Sequence, residues 1–243
     1  MPRLYDELAD LWCALSTPAD YAAEAKQLLA LFPPAPADRP RRVLDLGCGA
    51  GRTLVHLAAA EPDAELVGLD LSPAMLAHAA ALVPGAQFVA DDMRTFDLGE
   101  TFDLVLLHDA ADYLTRETDM RACMTRCAAH LAPGGTLIVA PTYLKETFAP
   151  AAAMDADDAD RPRLFSVTHD PEPTDDTFEL VLLCLVPEGD PPALRLVEDR
   201  HTCGLFAAET WRTALADVGL EVEVQQPDGD AAVWDAVFLG RRR

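Results

Sequence analysis

The chain has 243 residues, 50% of them hydrophobic, and a formal net charge of −22. That is enough apolar material for a substantial core. A field this negative opposes phosphate-backbone binding, and with no strong local basic patch to offset it, DNA, bulk RNA and anionic membrane surfaces are excluded as partners.

The first predicted element is a helix over residues 21–32 (YAAEAKQLLALF), whose apolar spacing is helical and which stops at Pro33-Pro34. With the Pro-rich, charged stretch that follows, it makes residues 1–40 an N-terminal helical cap and linker. From Val43 short apolar runs alternate with helical ones: VLDLG, then 52–60; ELVGLD, then 73–83; AQFVA; FDLVLLH, then 115–131; TLIVA. Such alternation predicts βαβ units and a parallel sheet covered on both faces. The expected fold class is therefore α/β, with a doubly wound Rossmann-like sheet of seven strands.

After Pro141 the alternation breaks. Acidic, turn-rich segments at 155–160 (DADDAD) and 170–176 (DPEPTDD) bracket strand-like runs at 164–168, 178–186 and 193–200. These predict an antiparallel β insertion, residues 142–205, laid as a lid over the site. The acidic runs lack the ligand order and glycine of an EF-hand and read as solvated loops, so no metal is expected. A last helix, 207–218, precedes LEVEVQQ and AVWDAVFLG, a predicted hairpin on the sheet edge, so the core spans 41–141 and 206–243.

Six cysteines are scattered without a CxxC pair or a zinc spacing, and no secretory segment starts the chain, so a cytoplasmic location is expected. Cys123 and Cys127 share a helix face and read as packing. No apolar run approaches the roughly 20 residues of a membrane span.

The chemistry concentrates at strand ends. Gly47, Gly49 and Gly51 follow VLDL in a tight turn that lets backbone N–H groups approach a ligand at a helix N-terminus. Asp70 closes the next strand, where a carboxylate can accept both hydroxyls of a ribose. The third strand ends in Asp91-Asp92-Met93, an acceptor for an exocyclic amine beside a thioether for a purine face. Asp45 lies inside the first strand, where a buried carboxylate needs a cationic or N–H partner. The turn is GxGxG rather than the GxGxxG of dinucleotide folds.

In order and spacing, VLDLGCGAG, GLDLS, ADDM, FDLVLLHDA and LAPGGTLIV resemble the class I S-adenosylmethionine-dependent methyltransferases over about residues 43–139. That resemblance implies S-adenosylmethionine as methyl donor and S-adenosylhomocysteine as product. It directs Gly47, Gly49 and Gly51 along the methionine moiety, Asp70 to the ribose, Leu71 and Met93 to the two faces of adenine, and Asp92 to its amino group, with Tyr21, Asp45, Met75 and His108 completing the pocket. Over nearly the whole chain, Tyr5-Asp6, DYAAEA, MLAHA, DMRTFDLG, ETF, His201 and Leu205-Phe206 further resemble the dTDP-amino-sugar N-methyltransferases of actinobacterial antibiotic pathways. The departures are His108-Asp109-Ala110, where those enzymes carry small or hydroxyl residues, and the acidic insertion.

Methyl transfer is an in-line displacement, so alignment and an unprotonated nucleophile matter most. Tyr113, His108 and His201 are the expected catalytic residues, and Tyr5, Asp109 and Tyr143 are expected to face the acceptor. Arg161, Arg163, Arg195 and Arg200 are available for a diphosphate, and His56, His78, His130 and His169 are assigned nothing. DNA amino-methylation is set aside, because no Asn/Asp-Pro-Pro-aromatic tetrad follows the fourth strand, and no cysteine stands there to attack cytosine. The expected activity is N- or O-methylation of a specialised metabolite or amino-sugar nucleotide, in a chain that forms a homodimer. Two alternatives stay open: a non-catalytic S-adenosylmethionine-binding module and a nicotinamide-dependent oxidoreductase.

Overall fold

A computed structural model describes residues 2–155, 162–189, 193–226 and 234–243. Most of the acidic run at 155–160, Arg161 and the start of the AVWDAVFLG segment lie outside them. The expected α/β architecture is present as a seven-stranded sheet. Strands β1 (Arg42–Leu46), β2 (Glu65–Asp70), β3 (Gln87–Ala90), β4 (Phe102–His108) and β5 (Leu131–Ala140) pair in parallel. The final pair, β10 (Glu221–Gln225) and β11 (Val237–Arg241), is antiparallel, with β11 between β5 and β10 in the order β10-β11-β5-β4-β1-β2-β3. Strand order reverses between β1 and β4, and the crevice at the carboxyl ends of such strands is where doubly wound folds bind ligands.

Strand alternation decides what each face buries. In β1, Leu44 and Leu46 enter the layer completed by α5 (Glu117–Ala129) and α6 (Ala208–Asp217), while Val43 enters the layer with α2 (Ala22–Ala30) and α3 (Arg52–Ala60). Asp45 alternates with Leu44 and Leu46 and so points into that second layer. Helix α4 (Pro73–Leu82) starts on a complete cap: Pro73 occupies its first position and the buried Ser72 side chain accepts the Met75 N–H at 3.1 Å.

The insertion forms a second sheet, β6-β7-β8-β9, antiparallel throughout, from β6 (Ala151–Asp155), β7 (Arg163–His169), β8 (Thr177–Glu188) and β9 (Ala193–Gly204). Its two ends meet where the Lys145 N–H donates to the Phe206 carbonyl at 3.1 Å. Leu182, Cys184 and Val197 of this sheet pack on Leu4 and Leu15 of the N-terminal segment. That segment holds a helix α1 (Ala9–Leu15) and is tied to the core where Arg52 donates to the Cys13 carbonyl at 3.0 Å.

Two elements were not expected. Helix α1 spans only seven residues, too few for a periodic signal, and β6 reads AAAMD, with no polar–apolar alternation. Elsewhere the differences are boundaries: α5 is shorter than 115–131 because β5 begins directly at Leu131.

Candidate active site

Gly47, Gly49 and Gly51 have φ of 70°, 52° and 75°, a region glycine enters without steric cost. A Cβ on Gly47 would lie 2.1 Å from that of Ala110, so the turn after β1 packs directly on the segment after β4. Gly47 and Cys48 both donate to the Leu69 carbonyl, at 2.7 and 3.0 Å. Asp70 joins the two strand ends: Oδ2 accepts the Gly49 N–H and Oδ1 the Ser72 N–H, each at 2.8 Å. Burial raises the Asp70 pKa, and these N–H donors oppose the rise.

A cavity of about 370 Å³ opens beside the turn. One wall is Asp70, Leu71, Met75, Asp92 and Met93; the other is His108, Asp109, Ala110 and Tyr113; Tyr5, Trp12 and Tyr21 of the N-terminal segment close it. Asp45 lies beneath, 1% exposed, and neither of its oxygens accepts a hydrogen bond among the described residues.

His108 stands amid three carboxylates. Its Nε2 is 3.5 Å from Asp45 Oδ1, and its Nδ1 is 2.8 Å from Glu24 Oε1 and 3.8 Å from Asp109 Oδ2. Burial works against the imidazolium, but Asp109, Asp45 and Glu24 together outweigh it and hold the His108 pKa well above the ordinary value. Asp109 has φ 27°, a strained conformation for a residue with a Cβ, and its half-exposed side chain opens into the cavity.

At the far end the Tyr113 and Tyr5 hydroxyls are 3.0 Å apart. Tyr113 Oη also lies 2.8 Å from His201 Nδ1, and His201 Nε2 lies 3.1 Å from Asp199 Oδ2, which accepts the Leu4 N–H at 2.8 Å. Burial lowers the His201 pKa, with Asp199 opposing, and raises those of both tyrosines well above the usual phenol value.

Residues 43–135 match the methyltransferase domain family. Over 206 residues the chain is 32% identical to the dTDP-3-amino-3,4,6-trideoxy-alpha-D-glucopyranose N,N-dimethyltransferase of Streptomyces venezuelae, covering 84% of this chain and 85% of that one. The chain belongs to the class I S-adenosylmethionine-dependent methyltransferases. Among solved structures, this methyltransferase is similar to DesVI of Streptomyces venezuelae, with a TM-score of 0.78 and 28% identity over 92% of each chain. It is also similar to CalS10, an amino pentose methyltransferase of Micromonospora echinaspora solved with the methyl donor bound, with a TM-score of 0.74 and 30% identity over 94% of this chain and 92% of that one. The methyltransferase is an enzyme that uses S-adenosylmethionine, and the nicotinamide and non-catalytic readings fall away.

Most residues expected at the methyltransferase's site converge on one cavity: Tyr21, Gly47, Gly49, Asp70, Leu71, Met75, Asp92, Met93 and His108, with Tyr5, Asp109 and Tyr113. Four do not line it. Asp45 lies beneath it, and Gly51 caps α3. His201, 2% exposed, reaches it through Tyr113. Tyr143 packs edge-on against Phe148 and Phe178, with ring centroids 5.4 and 5.3 Å away, because the apolar ring is drawn into the cluster beneath the second sheet. Of the arginines expected at a diphosphate, Arg195 pairs with Glu188 and Arg200 with Glu198, each at 2.6 Å, Arg163 does not line the cavity, and Arg161 lies outside the described residues. The arginines that line the cavity are Arg52 and Arg94, and Arg94 also holds Asp92 below the usual carboxylate range.

Sequence reasoning missed Glu24, Trp12 and Asp199. Glu24 sits in the DYAAEA segment, but nothing local pairs it with His108. Asp199 had a signal: Val197, Asp199, His201 and Cys203 alternate inward along β9, which places an acid and a histidine on one buried face.

Proposed function

We propose that the enzyme N-methylates an amino sugar carried on a nucleotide. The observation that carries this reading is the hydroxyl pair of Tyr5 and Tyr113, two oxygens 3.0 Å apart on the cavity wall and suited to hold an amine by its N–H groups. The names of the similar enzymes, an N,N-dimethyltransferase of a dTDP-amino sugar and an amino pentose methyltransferase, support the same acceptor class.

The residues at the other end fit the donor. Asp45 is a buried carboxylate without a hydrogen-bond partner among the described residues, in a group of three carboxylates facing one imidazole, and such a group stabilises a further cation. Asp45 and His108 would hold the donor's charged methionine end, Gly47 and Gly49 its backbone, Asp70 the ribose, Leu71, Met75 and Met93 the adenine faces, and Asp92 the adenine amino group. When bound, S-adenosylmethionine supplies a methyl group on a sulfonium centre. The chain's own work is to align the acceptor nitrogen, exclude water and keep a lone pair free on it. Strained Asp109, aimed into the cavity between the two ends, would attract an acceptor that arrives as an ammonium ion.

In this reading residues 1–40 cap the donor, 41–141 and 206–243 bind it, and 142–205 cover the acceptor. The protein is a homodimer: Met154 and Phe165 are register partners, Leu183 and Leu185 continue their face, and Met154, Phe165 and Leu196 stay 52%, 37% and 59% exposed on it. Light scattering that returns the mass of one chain would remove that part.

Purified protein given S-adenosylmethionine and a panel of dTDP-amino sugars should yield products heavier by one or two methyl groups in mass spectrometry. Conversion of hydroxyl acceptors alone, or of nothing in the panel, sinks the amine reading.

A further inference from the structure

The Asp199, His201, Tyr113 and Tyr5 side chains form one continuous hydrogen-bonded line from the buried face of β9 to the cavity. We infer that Asp199 is a positioning residue for methyl transfer: it fixes which nitrogen of His201 bears the proton, and so turns both tyrosine oxygens to accept from the amine. The inference rests on the amine reading above.

The direction of the line follows from donor counting. An ionised carboxylate only accepts, so the 3.1 Å contact with Asp199 Oδ2 puts the His201 proton on Nε2 and leaves a lone pair on Nδ1. Burial keeps the ring neutral by lowering its pKa. Tyr113 therefore donates its hydroxyl proton to Nδ1 across 2.8 Å. One hydroxyl donates once, so in the 3.0 Å contact Tyr5 is the donor to Tyr113. Both oxygens keep lone pairs, and both residues line the cavity.

An acceptor that arrives as an ammonium ion must lose a proton before its nitrogen can attack. Along this line an N–H bond breaks as an O–H bond forms on Tyr113, whose own proton passes to His201 Nδ1. His201 becomes an imidazolium beside Asp199, and the electron pair stays on nitrogen for the methyl group. Methyl transfer leaves the product nitrogen as an ammonium ion with no lone pair, so after the product has left the proton on His201 passes back along the line to solvent, and each turnover releases one proton. Neither tyrosine ionises, in keeping with pKa values raised well above the usual phenol value by burial.

Asp199 Oδ2 also accepts the Leu4 N–H, one residue before Tyr5, so the docking of the N-terminal segment and the state of His201 share one oxygen. Removing the side chain would disturb both. Asp199→Asn with its NH2 group in the place of Oδ2 donates to Nε2 and forces the His201 proton onto Nδ1, reversing the line, and gives up the Leu4 hydrogen bond in doing so.

The test uses the full chain. In ¹⁵N-histidine NMR without ligands, wild type should show His201 as the neutral Nε2–H form and Asp199→Asn as the Nδ1–H form, with a melting temperature lowered by the lost Leu4 hydrogen bond. In turnover with the amine acceptor, D199N should lower kcat roughly a hundredfold, leave the KM for S-adenosylmethionine unchanged, and add nothing to the loss from Tyr113→Phe in the double variant. A wild-type Nδ1–H form, a D199N variant that keeps the Nε2–H form yet loses kcat, or one with the switched form and undiminished kcat overturns the role of Asp199; a D199N variant that keeps both the Nε2–H form and kcat supports it. Absence of any wild-type amine methylation instead overturns the reading beneath it.

Discussion

The glycine turn depends on a space that admits no side chain. Gly47 combines a φ of 70° with a Cβ position 2.1 Å from that of Ala110, which is fixed to the backbone and cannot give way. Gly47→Val should cost about 2 kcal/mol or more and abolish donor binding, read by thermal melting and calorimetry. Gly85, where a Cβ would meet nothing within 4 Å, is the matched control, and Gly85→Ala should leave binding intact. A second residue-scale effect lies in Asp112, 7% exposed, whose Oδ1 accepts the Thr142 N–H at 3.1 Å. Burial pushes its pKa up to about 7, so the folded state holds that proton more tightly than the unfolded chain does. The stability this confers is complete below the ordinary aspartate value of 3.8 and is lost as pH rises through about 7. Asp112→Asn, which cannot ionise, should therefore melt increasingly above wild type as pH goes from 5 to 8; a constant difference across that range would contradict the assignment.

Helix α4 carries the clearest test of an element. Its buried cap leaves the Met75 N–H dependent on Ser72 alone, and Met75 lines the cavity. Ser72→Ala should cost about 1 kcal/mol of stability, measurable by denaturant unfolding, with a weaker effect on donor affinity. This part of the molecule was legible in the sequence because its signals are local: Gly47 to Gly51 follow a strand, Asp70 ends the next, and Ser72-Pro73 opens a helix. Strands β7, β8 and β9 were legible for the same reason. Pairings across long separations were not. His108 meets Glu24 from α2 and Asp45 from β1, and Tyr113 meets Tyr5 and His201, through folding that brings distant segments together without any local pattern. Tyr143 misled because an aromatic residue just after a strand end suits a pocket and an apolar cluster equally well, and burial decided for the cluster.

Across the whole molecule, charge sets how stability responds to the solvent. At −22, carboxylates repel one another across the surface, and salt screens that repulsion while leaving buried pairs nearly untouched. Raising salt from about 10 mM to 500 mM, a change in screening length from roughly 30 Å to a few Å, should raise the melting temperature. Each kcal/mol of repulsion removed is worth about 2–4 °C at this size; a fall in melting temperature would mean that surface ion pairs such as Arg39 with Asp103 outweigh the net repulsion. The joint at Lys145 and Phe206 has a different consequence, for descent rather than stability. Because a backbone hydrogen bond already holds the two ends of the second sheet together, changes in the length of its far turns alter the closure entropy only slightly. Turns far from that joint can thus vary in length while the donor end and the Asp199–His201 line stay as they are.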